Sequence, residues 1–413
     1  MTTPANSLDA DLRARASRVV PGGMWGHLHA NRLPEGYPQF FARAENCRLW
    51  DVDGRSYLDF MCSWGPNLLG HHHPEVEAAV ARQARLGDCM NGPAEVMVEL
   101  AEGLVDTIAH ADWAQFQKNG TDATTTCVTI ARAATARRKL LAARGAYHGA
   151  VPWCSPSLLG VTAEDRAHIE LYEYNDLHSL CAAAERAGDD LAGVIVSAFR
   201  HDLGRDQELP TRAFAEAVRA VCDAKGAALI LDEVRAGFRL DLAGSWEHLG
   251  VRPDLAAWSK AIANGYPLAV VTGREWLKQA AAQVFVTGSF WCGAVPMAAA
   301  AATLTVLRRD GIVEHLAAMG QKLRVGIDNL AGRHGVGLRQ TGPVQMPMIL
   351  FDDDADFRKG ELFCRTALAQ GVYFHPRHNM FLCSAHGEAE IEEALAAADA
   401  GLAAVAELAP AAA

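Results

Sequence analysis

Five short segments combine residue types that do chemistry. In Leu229–Arg239, LILDEVRAGFR, an apolar run ends in Asp232–Glu233. A carboxylate at the carboxyl end of a parallel strand stands where open α/β sheets bind ligands, although a capping or turn acid reads the same way. In Pro253–Leu268, PDLAAWSKAIANGYPL, Lys260 has few charged neighbours and precedes a glycine turn. Desolvation lowers a lysine pKa and favours amine attack or Schiff-base formation, whereas most single lysines snorkel at a surface. In Gln117–Arg132, QKNGTDATTTCVTIAR, Asn119–Gly120–Thr121 opens a helix. Free N–H groups, a hydroxyl and the positive helix end would cradle a phosphate; Asp122 is equally an ordinary first-turn acid. Ala146–Ala150, AYHGA, offers Tyr147 to stack on a planar ring and His148 as a polarisable neighbour, or simply a loop aromatic. Gly288–Leu304, GSFWCGAVPMAAAAATL, begins with Gly288–Ser289, a second anion-binding turn ahead of an alanine-rich helix.

These segments need a frame. Short β-like runs at Lys139–Ala142, Gly193–Val196, Ala228–Leu231, Leu268–Val271 and Met348–Phe351 alternate with helical stretches such as that marked by Met97, Leu100, Leu104 and Ile108. A second stretch is marked by Ile391, Leu395, Leu402 and Val405. The alternation predicts an α/β fold with a largely parallel sheet covered on both faces. Phe40–Phe60 reads instead as a hairpin around Asp53–Gly54. The expected division is an N-terminal segment, 1–60, a large central domain, 61–305, and a C-terminal part, 306–413, that joins the N-terminal segment in a small α+β lobe.

Composition excludes several classes. The 413 residues include 38 Lys and Arg against 49 Asp and Glu, a formal charge of −11, and 50% are hydrophobic. That is too apolar for a disordered chain. An acidic chain without basic clusters is poorly suited to nucleic acid or anionic membranes. No apolar run of roughly 18 or more residues, as a membrane span requires, is present. None of the ten cysteines lies in a Cys-x-x-Cys pair, which favours reduced core thiols over disulfides or zinc. The N-terminus lacks a signal-peptide pattern, so a cytoplasmic location is expected. The run Gly70–Pro74, GHHHP, is not read as a metal site, because three consecutive histidines do not easily converge on one ion.

The order of the five segments is more specific than any one of them. A phosphate cradle, a ring-stacking Tyr, a strand-end Asp, a lysine and a second phosphate turn describe a pyridoxal-phosphate site. With LWDVDGRSYLDF, SWGPNLLGHHHP, KNGTDAT, YHG and LDEVRAGF, the chain resembles the class III aminotransferases of fold type I, from about Val20 to Leu402. Within them it is most similar to glutamate-1-semialdehyde 2,1-aminomutase-like members. The resemblance implies a mainly parallel, seven-stranded type of sheet in the large domain. It implies Lys260 as the Schiff-base and proton-shuttling residue, with Asp232 paired to the pyridine nitrogen. Val234 and Tyr147 would face the two sides of the ring, with His148 close by. Gly120 and Thr121 would hold the phosphate, and Ser289 would reach the phosphate of a neighbouring subunit. An isologous homodimer with sites at its interface follows. The implied reaction moves an amino group from a donor to a carbonyl acceptor through a pyridoxamine phosphate form. The alternative is an aminomutase or a racemase or epimerase with the same lysine and aspartate; a non-catalytic homologue would not keep this set.

Departures from the family pattern bear on substrate. Where the aminomutase has P-G-G-V-N-S-P-V-R-A, this chain has PGGMWGHLHA, so Gly26 and His29 replace the Ser and Arg that hold the substrate carboxylate. Loss of a charge-assisted bond removes about 1.5–3 kcal/mol, which argues against glutamate semialdehyde. Trp25, His27 and His29 suggest a wider aromatic or polar pocket, with Trp64 beside it; Trp291 either lines the pocket or packs. Ser197–Ala198 replaces the usual Glu–Pro, which removes the partner of a donor-switching arginine. Arg235 stands where Gln or Met follows Asp-Glu-Val, and Arg377 lies in the loop HPRHNMF; either would offer a carboxylate clamp, or a structural ion pair.

Overall fold

The computed structural model describes residues 7–26 and 28–408. His27, one of the expected pocket residues, lies outside them. Seven strands form the central sheet, in spatial order Trp113–Gln117, Ala269–Gly273, Leu255–Trp258, Ala228–Asp232, Leu191–Ser197, Lys139–Ala143 and Ile169–Tyr172. Ala269–Gly273 runs antiparallel to both neighbours, and the other pairings are parallel. The sheet is therefore mainly parallel, as expected of fold type I.

Strand periodicity sorts the core into two faces. Ala228 and Ile230 point into a cluster with Ala123, Cys127 and Ile130 of the helix Gly120–Thr135. Leu229 and Leu231 point into the other, larger cluster. The two-residue period puts Asp232 on the same face as Ile230, toward that helix. The strand is uniformly buried, which is why its sequence is a continuous apolar run rather than an alternation.

The two ends of the chain meet in a second sheet. Phe41–Glu45, Arg48–Asp51 and Ser56–Asp59 form an antiparallel meander. Gly54 takes φ 85° in the predicted turn, a left-handed conformation that glycine adopts freely. Val372–Tyr373, from late in the chain, adds to Ser56–Asp59 in parallel. The helices Arg358–Ala369 and Glu388–Ala406 pack on each other, and Glu388–Ala406 also packs on Ile312–His334. Six of the ten cysteines are buried, while Cys89 and Cys181 are exposed. Among the described residues no helix is long and apolar enough to cross a membrane.

Candidate active site

The carboxyl ends of the central strands open onto a cavity of about 280 Å³, near the lower edge of the roughly 300–1,000 Å³ of small-molecule sites. Asp232 closes its strand there and is buried. Its Oδ2 lies 2.7 Å from His148 Nδ1, and its Oδ1 accepts the amide of Val234 at 3.1 Å. His148 is itself held, because its carbonyl accepts from Thr124 Oγ1 at 2.6 Å. His148 Nε2 is buried without a partner among the described residues. Asp232 is thus oriented by two protein contacts while still lining the cavity.

Lys260 lines the same cavity. It follows the strand Leu255–Trp258 and takes φ 50°, in the left-handed region. Such a conformation costs of order 1–3 kcal/mol in a non-glycine residue and persists where neighbours enforce it. Later in the same turn, Asn264 Oδ1 accepts the Leu69 amide at 2.7 Å and its Nδ2 donates to the Gly70 carbonyl at 2.9 Å. The SWGPNLLG block therefore pins the lysine turn. Burial first, then the charges of Arg235 and Arg239, push the Lys260 ammonium down to about 7, against the opposing pull of Asp232.

The third wall is the start of the helix Gly120–Thr135. Gly120 and Thr121 belong to its first turn, whose N–H groups no helical carbonyl reaches. Asp122 Oδ2 accepts the Asn119 amide at 2.9 Å, which holds the turn. A Cβ on Gly120 would come within 2.7 Å of Val234 Cγ1, and one on Gly149 within 2.6 Å of Thr121 Oγ1. Side chains are excluded from both positions, and the amides stay open to the cavity. Tyr147, partly exposed, lines the same cavity as Val234. Open amides, a hydroxyl, a fixed carboxylate, an aromatic ring and a low-pKa amine fit pyridoxal phosphate in every part.

The residues expected around the substrate are dispersed. Arg235 lines the cavity, donating to His378 Nε2 at 3.1 Å and to Asn379 Oδ1. Burial lowers it to about 10. Trp64 packs edge-on against His375 and His378, at 5.5 and 4.9 Å between ring centroids. Arg377 does not reach the cavity: its guanidinium pairs with Glu361 and lies 4.8 Å over Phe357. It takes the ion-pair alternative because the loop aims the next two residues, His378 and Asn379, inward instead. Trp25 and His29 are exposed and lie outside the cavity lining, the His29 ring resting over Gly22. Ser289 is exposed in a loop with Phe285 and Phe290, which are 94% and 63% accessible. In the GHHHP run, His71 reaches Asp59 at 3.3 Å while His72 approaches Glu77, so the rings diverge.

His201 lines the cavity without having drawn notice in the sequence. Burial and the nearby charges of Arg235 and Lys260 keep it, and burial with Arg235 keeps His378, well below the ordinary histidine range, so both rings are neutral. The usable signal for His201 was its place just beyond the strand Leu191–Ser197, at the ligand-binding end of the sheet. His378 carried no signal of its own, since it sits beside the more conspicuous Arg377.

Residues 32–394 match the family described as aminotransferase class-III. The chain is 50% identical over 395 residues to an aminopentol aminotransferase of Sphingopyxis macrogoltabida, covering 96% of this chain and 94% of that protein. It is 33% identical over 427 residues to a glutamate-1-semialdehyde 2,1-aminomutase of Bordetella avium, covering 96% and 99%. Its fold superposes on the pyridoxal-phosphate internal aldimine form of the FumI protein of Sphingopyxis sp. MTA144, with a TM-score of 0.95, 50% identity and 96% of each chain covered.

Proposed function

This chain belongs to the class-III aminotransferases, a pyridoxal-phosphate-dependent family, and from that premise we propose that it moves an amino group from a hydroxylated amine to a small carbonyl acceptor. The observation that carries the proposal is the single cavity lined by Lys260, Asp232, Gly120 and Thr121. The amine class is suggested by the aminopentol aminotransferase at 50% identity, whose name denotes an amine rich in hydroxyls. Neutral His201, which lines the cavity, suits that class, since its ring offers both a donor and an acceptor to a hydroxyl. The aminomutase reading is weaker, because Gly26 and His29 leave its carboxylate unheld.

When bound, pyridoxal phosphate supplies a conjugated ring that takes up the electron pair left as the substrate carbon loses its proton. Asp232 would hold the ring nitrogen protonated, and His148 fixes the carboxylate for that task. Gly120 and Thr121 would receive the phosphate through amides and hydroxyl. Val234 and Tyr147 would confine the ring. Lys260 would accept the proton at its Nζ and return it to the other carbon, a shuttle that a lysine near pH 7 performs in both directions. Arg235, carried by Asn379 and His378, would meet a carboxylate on the acceptor.

Two further readings belong to the proposal. Residues 61–305 would act as the cofactor domain, with 1–60 and 306–413 together as the small lobe; the parallel pairing of Val372–Tyr373 with Ser56–Asp59 supports this. The exposed Phe285 and Phe290, on the same loop as Ser289, accord with a homodimer in which Ser289 reaches the partner's cofactor. A cytoplasmic location accords with the six buried free thiols.

The test is a donor screen on the yellow holoenzyme. Aminopentol with pyruvate should bleach and restore the cofactor band and release the ketone. Bleaching by α-amino acids alone, with no ketone from the polyol amine, overturns the substrate class. Proton exchange without ketone release would indicate a racemase.

A further inference from the structure

A second reactive cluster lies outside the cavity. Cys62 Sγ, Cys383 Sγ and a ring nitrogen of His386 all fall within 4.8 Å of one another, and all three residues are buried. Cys383 Sγ is 3.3 Å from His386 Nδ1. The His386 ring stacks on Phe60 at 4.5 Å, and its Nε2 is buried without a partner among the described residues. The Cys62 thiol reaches carbonyl oxygens of Phe381 and Asp59 only at 3.4 and 3.6 Å. No fourth donor joins the group among the described residues, so the cluster falls short of the tetrahedral set a structural zinc requires.

The other buried thiols with a clear shift, Cys127 and Cys222 among them, are pushed up by burial. Cys383 goes the other way: the Cys62 thiol and His386 favour its thiolate despite burial. Cys62 is raised, by its bond to Cys383 and by burial, and so keeps its proton. One thiol is thus the nucleophile and its neighbour the resolving thiol.

The backbone around the pair points to consequence. Residues 62 to 65 take φ 46°, 54°, 66° and 105°, a run of left-handed conformations. That turn carries Trp64, and Pro66 just beyond it lines the cavity. Arg239, fully buried, donates to the Leu382 and Gly65 carbonyls at 2.6 and 2.5 Å and so ties the two segments that bear the cysteines.

We propose that Cys62 and Cys383 form a reversible disulfide, a modification site in which His386 is the base and a hydroperoxide the oxidant. His386 takes the Cys383 thiol proton, the Cys383 sulfur attacks hydrogen peroxide, the O–O bond breaks to give a sulfenic acid, and the departing hydroxide takes the proton from His386 to become water. The Cys62 sulfur then attacks the Cys383 sulfur, the S–O bond breaks, and water leaves with the thiol proton. Two thiols lose two electrons in total, and one peroxide becomes two waters. A dithiol reductant reverses the link.

The experiment treats holoenzyme with hydrogen peroxide, blocks remaining thiols after denaturation, and maps the digest by mass spectrometry. The Cys62–Cys383 linked peptide should appear about tenfold or more ahead of oxidation at exposed Cys89 and Cys181, and vanish with dithiothreitol. Cys62→Gly, which suits the positive φ, should fold, and should leave Cys383 as a trapped sulfenic acid. Oxidation of Cys89 and Cys181 while Cys62 and Cys383 still take the blocking label overturns the proposal. A Cys47–Cys383 link in its place overturns it as well.

Discussion

The two halves of the cavity are built differently. The cofactor side stands on the sheet: Asp232 ends a fully buried strand, Lys260 follows another, and Gly120 opens a helix packed on the same face. Each is braced by hydrogen bonds from other elements, such as His148 to Asp232 and Asn264 to Leu69. The other side is assembled from a strand-end loop at His201 and from Arg235, which the late segment holds through His378 and Asn379, with Trp64 packed against His378 behind them. Regular elements hold a side chain more firmly than loops do, so the first half sets a chemistry and the second sets who enters it.

That contrast predicts how each half fails. Lys260→Ala should lower turnover by roughly 10³-fold or more while leaving the fold intact by circular dichroism; residual turnover near wild type would remove Lys260 from the chemistry. Asp232→Asn should cost roughly 10²-fold, and a smaller loss would mean that the carboxylate does not set the ring's charge.

The low lysine pKa has a readable sign. Below about 7 the amine is protonated and cannot attack a carbonyl; above it the amine is free. Cofactor uptake by the stripped enzyme should therefore slow about tenfold per unit as pH falls beneath 7, and level off above it. A profile that keeps rising toward pH 10 would show that Lys260 is not shifted.

The substrate half should give gentler, separable effects. Arg235→Gln should raise the KM for a carboxylated acceptor by about tenfold with little change in KM for the amine. Equal losses for both substrates would mean that Arg235 braces the pocket through His378 and Asn379 rather than binding the acceptor. Arg377→Ala should change steady-state constants by less than about twofold, as expected for an exposed pair with Glu361; a larger loss would restore it to the substrate side.

The legibility of the two halves differs in the same way. Asp232, Lys260, Gly120 and Tyr147 were readable because each sits in a local pattern with its own physical reason: a strand end, an uncharged stretch, a helix start, a loop aromatic. Their common cavity followed from their order. Arg377 drew attention by its charge, yet the loop turns it to Glu361 and turns His378 and Asn379 inward. His201 had no partner in sequence to mark it.

By itself the sequence determined the mainly parallel sheet and the hairpin at Asp53–Gly54, because those depend on periodicity and on turns a few residues long, and its local patterns singled out Asp232, Lys260 and Gly120, which the fold brings to one cavity. The tertiary structure alone decided that Arg235, held by His378 and Asn379, lines the cavity while Arg377 does not, and that Cys62 meets Cys383 and His386. These depend on the late segment 372–386 folding back against the turn after the strand Ser56–Asp59. No local pattern encodes a meeting of groups so far apart along the chain; packing of the two chain ends creates it.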